Sequence, residues 1–217
     1  MRIFDRKSII DTDIYCLTAA KFSRGRSNLD VVRAMLDAGA SLVQYREKEM
    51  KMGVKYEECL AIRAMTRDAG AAFIVNDDID LALLVEADGV HVGQHDLPVP
   101  AVRRLVGERM AIGLSTHTPE EARAAVAQGA DYIGVGPIFR TYTKEDVVDP
   151  VGFGYLDWVA ANIGLPFVAI GGIKEHNVAE VARHGARCVA IVTDIVEAED
   201  IGAKIQAIRL AMRRARS

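Results

Sequence analysis

DAGAAFIV, residues 68–75, decides the fold: an amphipathic run closes on Gly70, and an apolar run, Ala72–Val75, begins at once. Glycine just past a helix end takes the left-handed conformation that closes it, and an unbroken Ala/Phe/Ile/Val run is how a strand buried on both faces reads. The same join recurs as DAGASLVQ at 37–44, EADGVHVG at 86–93, QGADYIGV at 128–135 and HGARCVAI at 184–191. Each join is one helix-to-strand step of a βα module.

Working outward, the apolar runs give about eight strands: Ile14–Leu17, Leu42–Tyr45, Ala72–Val75, Gly89–Val92, Ala111–Leu114, Tyr132–Val135, Phe167–Ile170 and Cys188–Val192. Helical periodicity is clearest over Leu29–Ala38, Tyr56–Ala69, Pro119–Gln128, Asn177–His184 and Asp200–Arg213, where apolar residues return at three- and four-residue steps between charges. Strands alternating with helices, without a linker or a second domain, predict an α/β fold of one domain over residues 1–217: a (β/α)8 TIM barrel. Counting strands leaves a doubly wound open sheet as the competing architecture. Its usual GxGxxG turn after the first strand is missing, and Gly134-Val-Gly136 is a lone GxG late in the chain. The stretch Arg140–Gly154, rich in Thr, charge and Gly, reads as a long loop and a mobile lid.

The 217 residues, 50% hydrophobic and 26% charged, suffice for one large buried core. A net charge of -3 and a pI near 6.0 supply no broad cationic field for nucleic acid. Phosphate recognition, if present, must be local. Three cysteines, Cys16, Cys59 and Cys188, lie far apart with no CxxC pair, which predicts neither a disulfide framework nor a zinc site. No leader-like segment and no bilayer-length apolar run is visible, so the expectation is a soluble cytoplasmic protein without membrane partners.

In a barrel the active site forms where strands end and βα loops begin, and polar residues gather at those points here. Strand two runs out through Gln44-Tyr45-Arg46-Glu47-Lys48, strand three through Asn76-Asp77-Asp78, strand four through Gln94-His95-Asp96, strand five through Ser115-Thr116-His117. A period of two puts Gln44, Arg46 and Lys48 on one face, an anion clamp in which Arg grips phosphate oxygens and Lys adds a point charge. The alternative is a solvated rim in which Arg46 and Lys48 pair with Glu47 and Glu49. Asp77 and Asp96, at adjacent strand ends, form a two-carboxylate site of the kind magnesium takes, while a neighbour among Asn76–Asp78 caps the next helix.

AIGGI followed by Asn177, and AIVTDI, fall after strands seven and eight, where barrels commonly hold phosphate on backbone N–H groups. A simple tight turn accounts equally for the Gly171-Gly172 pair. Ser115 and His117, two apart with no orienting third group in view, do not make a nucleophile and base; Ser115 reads as a substrate hydrogen bonder. His91, inside an apolar strand, reads as a satisfied core residue, and Arg209, Arg213, Arg214 and Arg216 as a solvated face.

VQYREK, FIVNDDIDLAL, ADGVHVGQHDL, IGLSTHTPEEA, GADYIGVGPIF-x-T-x-TK and VAIGGI-x3-N, in this order from Val43 to Thr193, resemble the thiamine-phosphate synthase family. The resemblance implies a transferase that joins 4-amino-2-methyl-5-(diphosphooxymethyl)pyrimidine to a thiazole phosphate, giving thiamine monophosphate and pyrophosphate. It implies pyrimidine diphosphate contacts at Gln44, Tyr45, Arg46, Glu47, Lys48, Asn76, Ser115 and Lys144, and magnesium as cofactor on Asp77 and Asp96. Thiazole phosphate contacts are implied at Thr141, Tyr142, Thr143, Gly171, Val192 and Thr193. Arg46, Lys48, Lys144 and Ser115 are then the catalytic set, in a dissociative substitution where diphosphate leaves first and no protein nucleophile is needed. The implied partners are these small molecules, with a homo-oligomer left open. Two positions depart from the family pattern: Ala19 stands in IYCLTAA where an aspartate is usual, and Thr193-Asp194 where Ser-Ala is common. A thiazole tautomerase, or a non-catalytic barrel that binds thiazole phosphate, is the alternative. Such relatives generally lack the paired aspartates and the TxTK segment.

Overall fold

The computed structural model describes residues 5–143 and 148–216. Eight parallel strands, β1 (Ile14–Leu17), β2 (Leu42–Tyr45), β3 (Ala72–Asn76), β4 (Gly89–Val92), β5 (Ala111–Thr116), β6 (Tyr132–Val135), β7 (Phe167–Ile170) and β8 (Cys188–Ile191), pair in sequence order and close. Closure is made by β8 returning to β1, with Ile14 opposite Val189 and Cys16 opposite Ile191. That pairing excludes the open sheet. Between and after the strands run α1 (Asn28–Asp37), α2 (Met52–Ala69), α3 (Ile79–Leu84), α4 (Val99–Val106), α5 (Pro119–Gln128), α6 (Gly152–Asn162), α7 (Val178–Arg183), α8 (Thr193–Val196) and α9 (Ile201–Arg216). Among the described residues no helix is long and apolar enough to cross a membrane.

Strand parity sorts the side chains into two cores. One parity, with Cys16, Val43, Tyr45, Phe73, Val75, Ile112 and Ile133, packs outward against the helices. The other, with Tyr15, Leu17, Leu42, Ala72, Ile74, Ala111, Tyr132, Val168, Cys188 and Ala190, fills the barrel, joined by Ile9 and Ile10 from the segment ahead of β1. The inward set runs out at the C-terminal strand ends, and there the barrel interior becomes a cavity.

The joins behave as their sequences require. Gly70 at φ +66° and Gly129 at φ +82° close α2 and α5 in the left-handed conformation. Thr118 caps α5 by accepting from the Glu121 N–H at 3.2 Å, and Glu121 accepts from the His117 N–H at 2.7 Å. Aspartates just ahead of strands tie the N-terminal end of the barrel. Asp88 takes both Arg63 nitrogens, at 2.6 and 3.0 Å, and the Phe73 N–H at 2.8 Å. Asp131 takes Arg103, Arg6 at 3.0 Å and the Ile112 N–H at 2.8 Å. Asp13 takes Arg209 at 3.0 Å.

Several expectations are corrected. Arg209 also donates to the Ala38 and Gly39 carbonyls, and Arg216 to those of Ala186 and Arg187, so these two tail arginines bind helix and strand ends instead of making a solvated face. The loop read as Arg140–Gly154 ends sooner: the Val151 N–H donates to the Pro137 carbonyl at 2.8 Å and α6 starts at Gly152. Two glycines in its first turn hid that start. Asp78 occupies the N-cap position of α3 without a side-chain capping bond, because its carboxylate is held by Lys55 at 2.7 Å.

Candidate active site

The cavity at the C-terminal strand ends is lined from every strand. Tyr15 and Leu17 come from β1, Gln44 and Arg46 from β2 and beyond its end, Asn76 from β3, His91 from β4. Ser115, Thr116 and His117 follow from β5 and its end; Thr141 and Thr143 from the loop after β6; Gly171 and Gly172 from the β7 end; Val192 and Thr193 from the β8 end. Gln44 and Arg46 therefore do share a face, as the strand period requires. Lys48 stands at the rim with its Nζ 3.4 Å from Asp77 Oδ2. Lys144 lies outside the described residues.

Charge at the mouth is unevenly balanced. Burial pulls the Arg46 guanidinium below its ordinary value, while the Asp77 and Glu47 carboxylates hold it up. Asp77's carboxyl is raised, first by burial and then by the charge of Asp96, with Lys48 opposing. Its backbone sits at φ +62°, the left-handed region that non-glycine residues avoid, and its N–H donates to the His91 carbonyl at 2.9 Å. Asp96 is anchored through the Gly93 N–H at 2.6 Å. Among the described residues no three or more His, Cys, Asp or Glu side chains gather to hold a metal. A carboxyl raised by burial and by a neighbouring carboxylate, with one lysine alongside, is nonetheless a donor set that a hard divalent cation would complete with water and phosphate oxygens.

Three expected contact residues are turned elsewhere. Tyr45 packs in the outer core and donates to Glu58 Oε2 at 2.7 Å. Glu47 accepts from the Ala20 N–H at 2.9 Å, and burial raises its carboxyl. Tyr142 is 81% exposed and does not line the cavity. The first two have the opposite strand parity from Gln44 and Arg46, so their side chains brace the clamp from behind. Thr141 and Thr143 do face the cavity, hydroxyls 3.1 Å apart. Across from them, Gly171 at φ +98° and Gly172 at φ +63° lie so close to the loop after β6 that a Cβ on Gly171 would meet Pro137 Cα at 2.4 Å. Asp194 points away from the cavity, accepting from the Glu175 N–H at 2.8 Å.

The sequence reading missed the cavity floor. Ser115 Oγ is 3.0 Å from His91 Nε2, not paired with His117, whose Nδ1–H donates to the Gly136 carbonyl at 2.6 Å. His91 Nδ1 lies 3.1 Å from the Tyr132 hydroxyl, Tyr132 lies 3.1 Å from Tyr15, and Gln44 Nε2 donates to Tyr15 at 2.8 Å. His91 is thus hydrogen-bonded, as expected of it, yet it faces the cavity. The missed signal was parity: His91 alternates with Gly89 and Gly93, glycines that give a strand no core side chain.

A closed parallel barrel with a guanidinium, hydroxyls and a glycine turn lining a cavity at its C-terminal strand ends defines a barrel enzyme for small molecules. Residues 14–195 match the family described as Thiamine monophosphate synthase, and the chain belongs to that family. It is 63% identical over 206 residues to a thiamine-phosphate synthase of Pelotomaculum thermopropionicum, covering 95% of this chain and 94% of that protein. It is 51% identical over 205 residues to the one of Lawsonia intracellularis, covering 94% of each. Among solved structures, a thiamine phosphate pyrophosphorylase from Pyrococcus furiosus superposes with a TM-score of 0.87 at 30% identity, covering 97% of this chain and 99% of that one.

Proposed function

We propose that this chain condenses 4-amino-2-methyl-5-(diphosphooxymethyl)pyrimidine with a thiazole phosphate, releasing pyrophosphate and forming thiamine monophosphate, and that it does so with magnesium in the cytoplasm. The observation that carries this reading is that one cavity is lined by Arg46 and by Thr141, Thr143, Gly171 and Thr193, while the Asp77–Lys48 ion pair, 3.4 Å long, lies outside that lining with Asp77 within electrostatic reach of Arg46. Two phosphorylated ligands thereby meet end to end. Relatives named for the same synthesis, at up to 63% identity among those compared, support it.

Arg46 and Lys48 grip the diphosphate, with Lys144 in the segment after Thr143 as a third cation. Asp77 and Asp96 would hold magnesium, which when bound would supply charge neutralisation to the leaving diphosphate. Gln44, Asn76 and Ser115 orient the pyrimidine. On the facing side the Thr141 and Thr143 hydroxyls and the backbone of Gly171, Val192 and Thr193 receive the thiazole phosphate. Cations placed where charge builds favour departure of the diphosphate over its retention, and the thiazole nitrogen then captures the electron-poor methylene. No protein nucleophile enters. Intact Arg46, Asp77 and Asp96 favour this reading over a barrel that binds thiazole phosphate without catalysis.

Purified protein incubated with both phosphorylated substrates and magnesium should yield thiamine monophosphate and pyrophosphate in equal amounts. Thiazole phosphate binding without product would overturn the reading in favour of the non-catalytic barrel.

A further inference from the structure

Beneath the cavity four hydrogen bonds form an unbroken chain: Gln44 Nε2 to Tyr15 at 2.8 Å, Tyr15 to Tyr132 at 3.1 Å, Tyr132 to His91 Nδ1 at 3.1 Å, and His91 Nε2 to Ser115 Oγ at 3.0 Å. Its two ends, Gln44 and Ser115, lie on strands β2 and β5 and both line the cavity. Tyr15 and Tyr132 are buried, and burial holds both phenols above their ordinary range, so each keeps its single proton.

That proton inventory dictates a direction. An amide nitrogen only donates, so the Tyr15 oxygen accepts from Gln44. The Tyr15 proton then goes to the Tyr132 oxygen, and the Tyr132 proton goes to His91 Nδ1. A ring nitrogen that accepts leaves its partner nitrogen to carry the hydrogen, so Nε2–H donates to Ser115 Oγ. The reverse order would aim the buried Tyr15 hydroxyl at an amide NH2, donor against donor, which costs as much as a lost hydrogen bond.

We infer that this relay fixes the polarity of the floor, turning the Ser115 hydroxyl proton and the Gln44 carbonyl oxygen toward the ligand. Tyr15, Tyr132 and His91 are its positioning residues. The ligand it fits is a heterocycle that offers an exocyclic amino group to Gln44 and an unprotonated ring nitrogen to Ser115. An oxo heterocycle, with a protonated ring nitrogen beside a carbonyl, presents the opposite pattern. The inference rests on the reading of this cavity end as the aminopyrimidine subsite, and it specifies what that subsite selects. It also denies His91 the role of base toward Ser115, because the nitrogen facing Ser115 already carries a hydrogen.

An independent feature points to the same pair. A Cβ on Gly113 of β5 would lie 2.2 Å from Tyr132 Cζ, 2.5 Å from its hydroxyl and 2.4 Å from His91 Nδ1. No side chain fits at that place on β5 without separating Tyr132 from His91.

The test is nitrogen-15 histidine NMR on the full-length protein, with the His91 signal identified as the one lost in His91→Gln. The relay requires Nε2–H with unprotonated Nδ1 in the wild type. A wild-type Nδ1–H tautomer, or a doubly protonated ring, overturns it. In steady-state kinetics Tyr132→Phe should raise KM for the pyrimidine diphosphate about ten-fold, one lost hydrogen bond of orientation, with kcat and the KM for thiazole phosphate near wild type. Unchanged pyrimidine KM overturns the relay; Tyr15→Phe serves the same comparison if Tyr132→Phe does not fold. The NMR result stands apart from turnover: an Nε2–H tautomer in a protein that forms no product would sink the proposed function alone.

Discussion

The two ends of the barrel treat aspartate in opposite ways. At the N-terminal end, Asp88 and Asp131 each meet arginine and a backbone N–H of the neighbouring strand. At the C-terminal end, burial and then the charge of Asp96 raise the Asp77 carboxyl, with Lys48 3.4 Å from Asp77. The same side chain meets arginine and backbone N–H groups within the fold at one end, and at the other is held with its carboxyl raised beside a second carboxylate. Substitutions at the two ends should therefore separate, lowering stability at the first and activity at the second.

The largest effect should come from the stabilising end. Asp131→Ala removes the carboxylate shared by Arg103 and Arg6 and the acceptor of the Ile112 N–H, which should cost about 3 kcal/mol of unfolding free energy, as breaking a buried pair does. Denaturant melts measure that, and turnover per folded molecule should hold. Asp96→Asn should do the converse: melting no lower than wild type, but turnover down on the order of 100-fold, near 2.7 kcal/mol of transition-state stabilisation. A variant that lost stability and kept activity would invert the comparison. Ser115→Ala should slow single-turnover product formation about ten-fold without silencing it, since one hydrogen bond is lost and no nucleophile. A pyrimidine adduct on Ser115 in intact-mass spectra of quenched wild-type enzyme would refute that view.

The smallest expected effect concerns pH. Burial and the Asp96 charge raise the Asp77 carboxyl. Between its ordinary and raised values the folded protein binds more protons than the unfolded chain, so metal-free stability should fall as pH rises through that window. Asp77→Asn should flatten this part of the melting-temperature profile. Glu47, raised by burial in the same sense, sets a background that Asp77→Asn leaves in place. Identical profiles for wild type and Asp77→Asn would show that the mouth carries no such imbalance.

The fold was legible because its signals are local. Gly70 and Gly129 mark helix ends by their own backbone conformation, and the doubly buried strands read as apolar runs; the strand bounds from β1 to β8 differ from expectation by two residues at most. The helices α3 and α4 were hidden by their shortness, 6 and 8 residues, and α6 by beginning on Gly152 and Gly154. In the cavity, Gln44 and Arg46, found by strand period, and Ser115, found by its place at a strand end, do line it. Tyr45, Glu47 and Tyr142 do not, because a motif names a stretch while parity and exposure decide which of its side chains turn inward. The floor was the hidden part. Tyr15, His91 and Tyr132 lie on three separate strands and become one hydrogen-bond chain only once β1, β4 and β6 surround the same interior.

Whether the charge at the C-terminal end serves diphosphate departure is decided by a magnesium titration of the single-turnover rate for wild type and Asp96→Asn. The account predicts no turnover in chelator for either protein, recovery with magnesium in the wild type, and a curve displaced to much higher magnesium or absent in Asp96→Asn. Superimposable curves for the two proteins would contradict it.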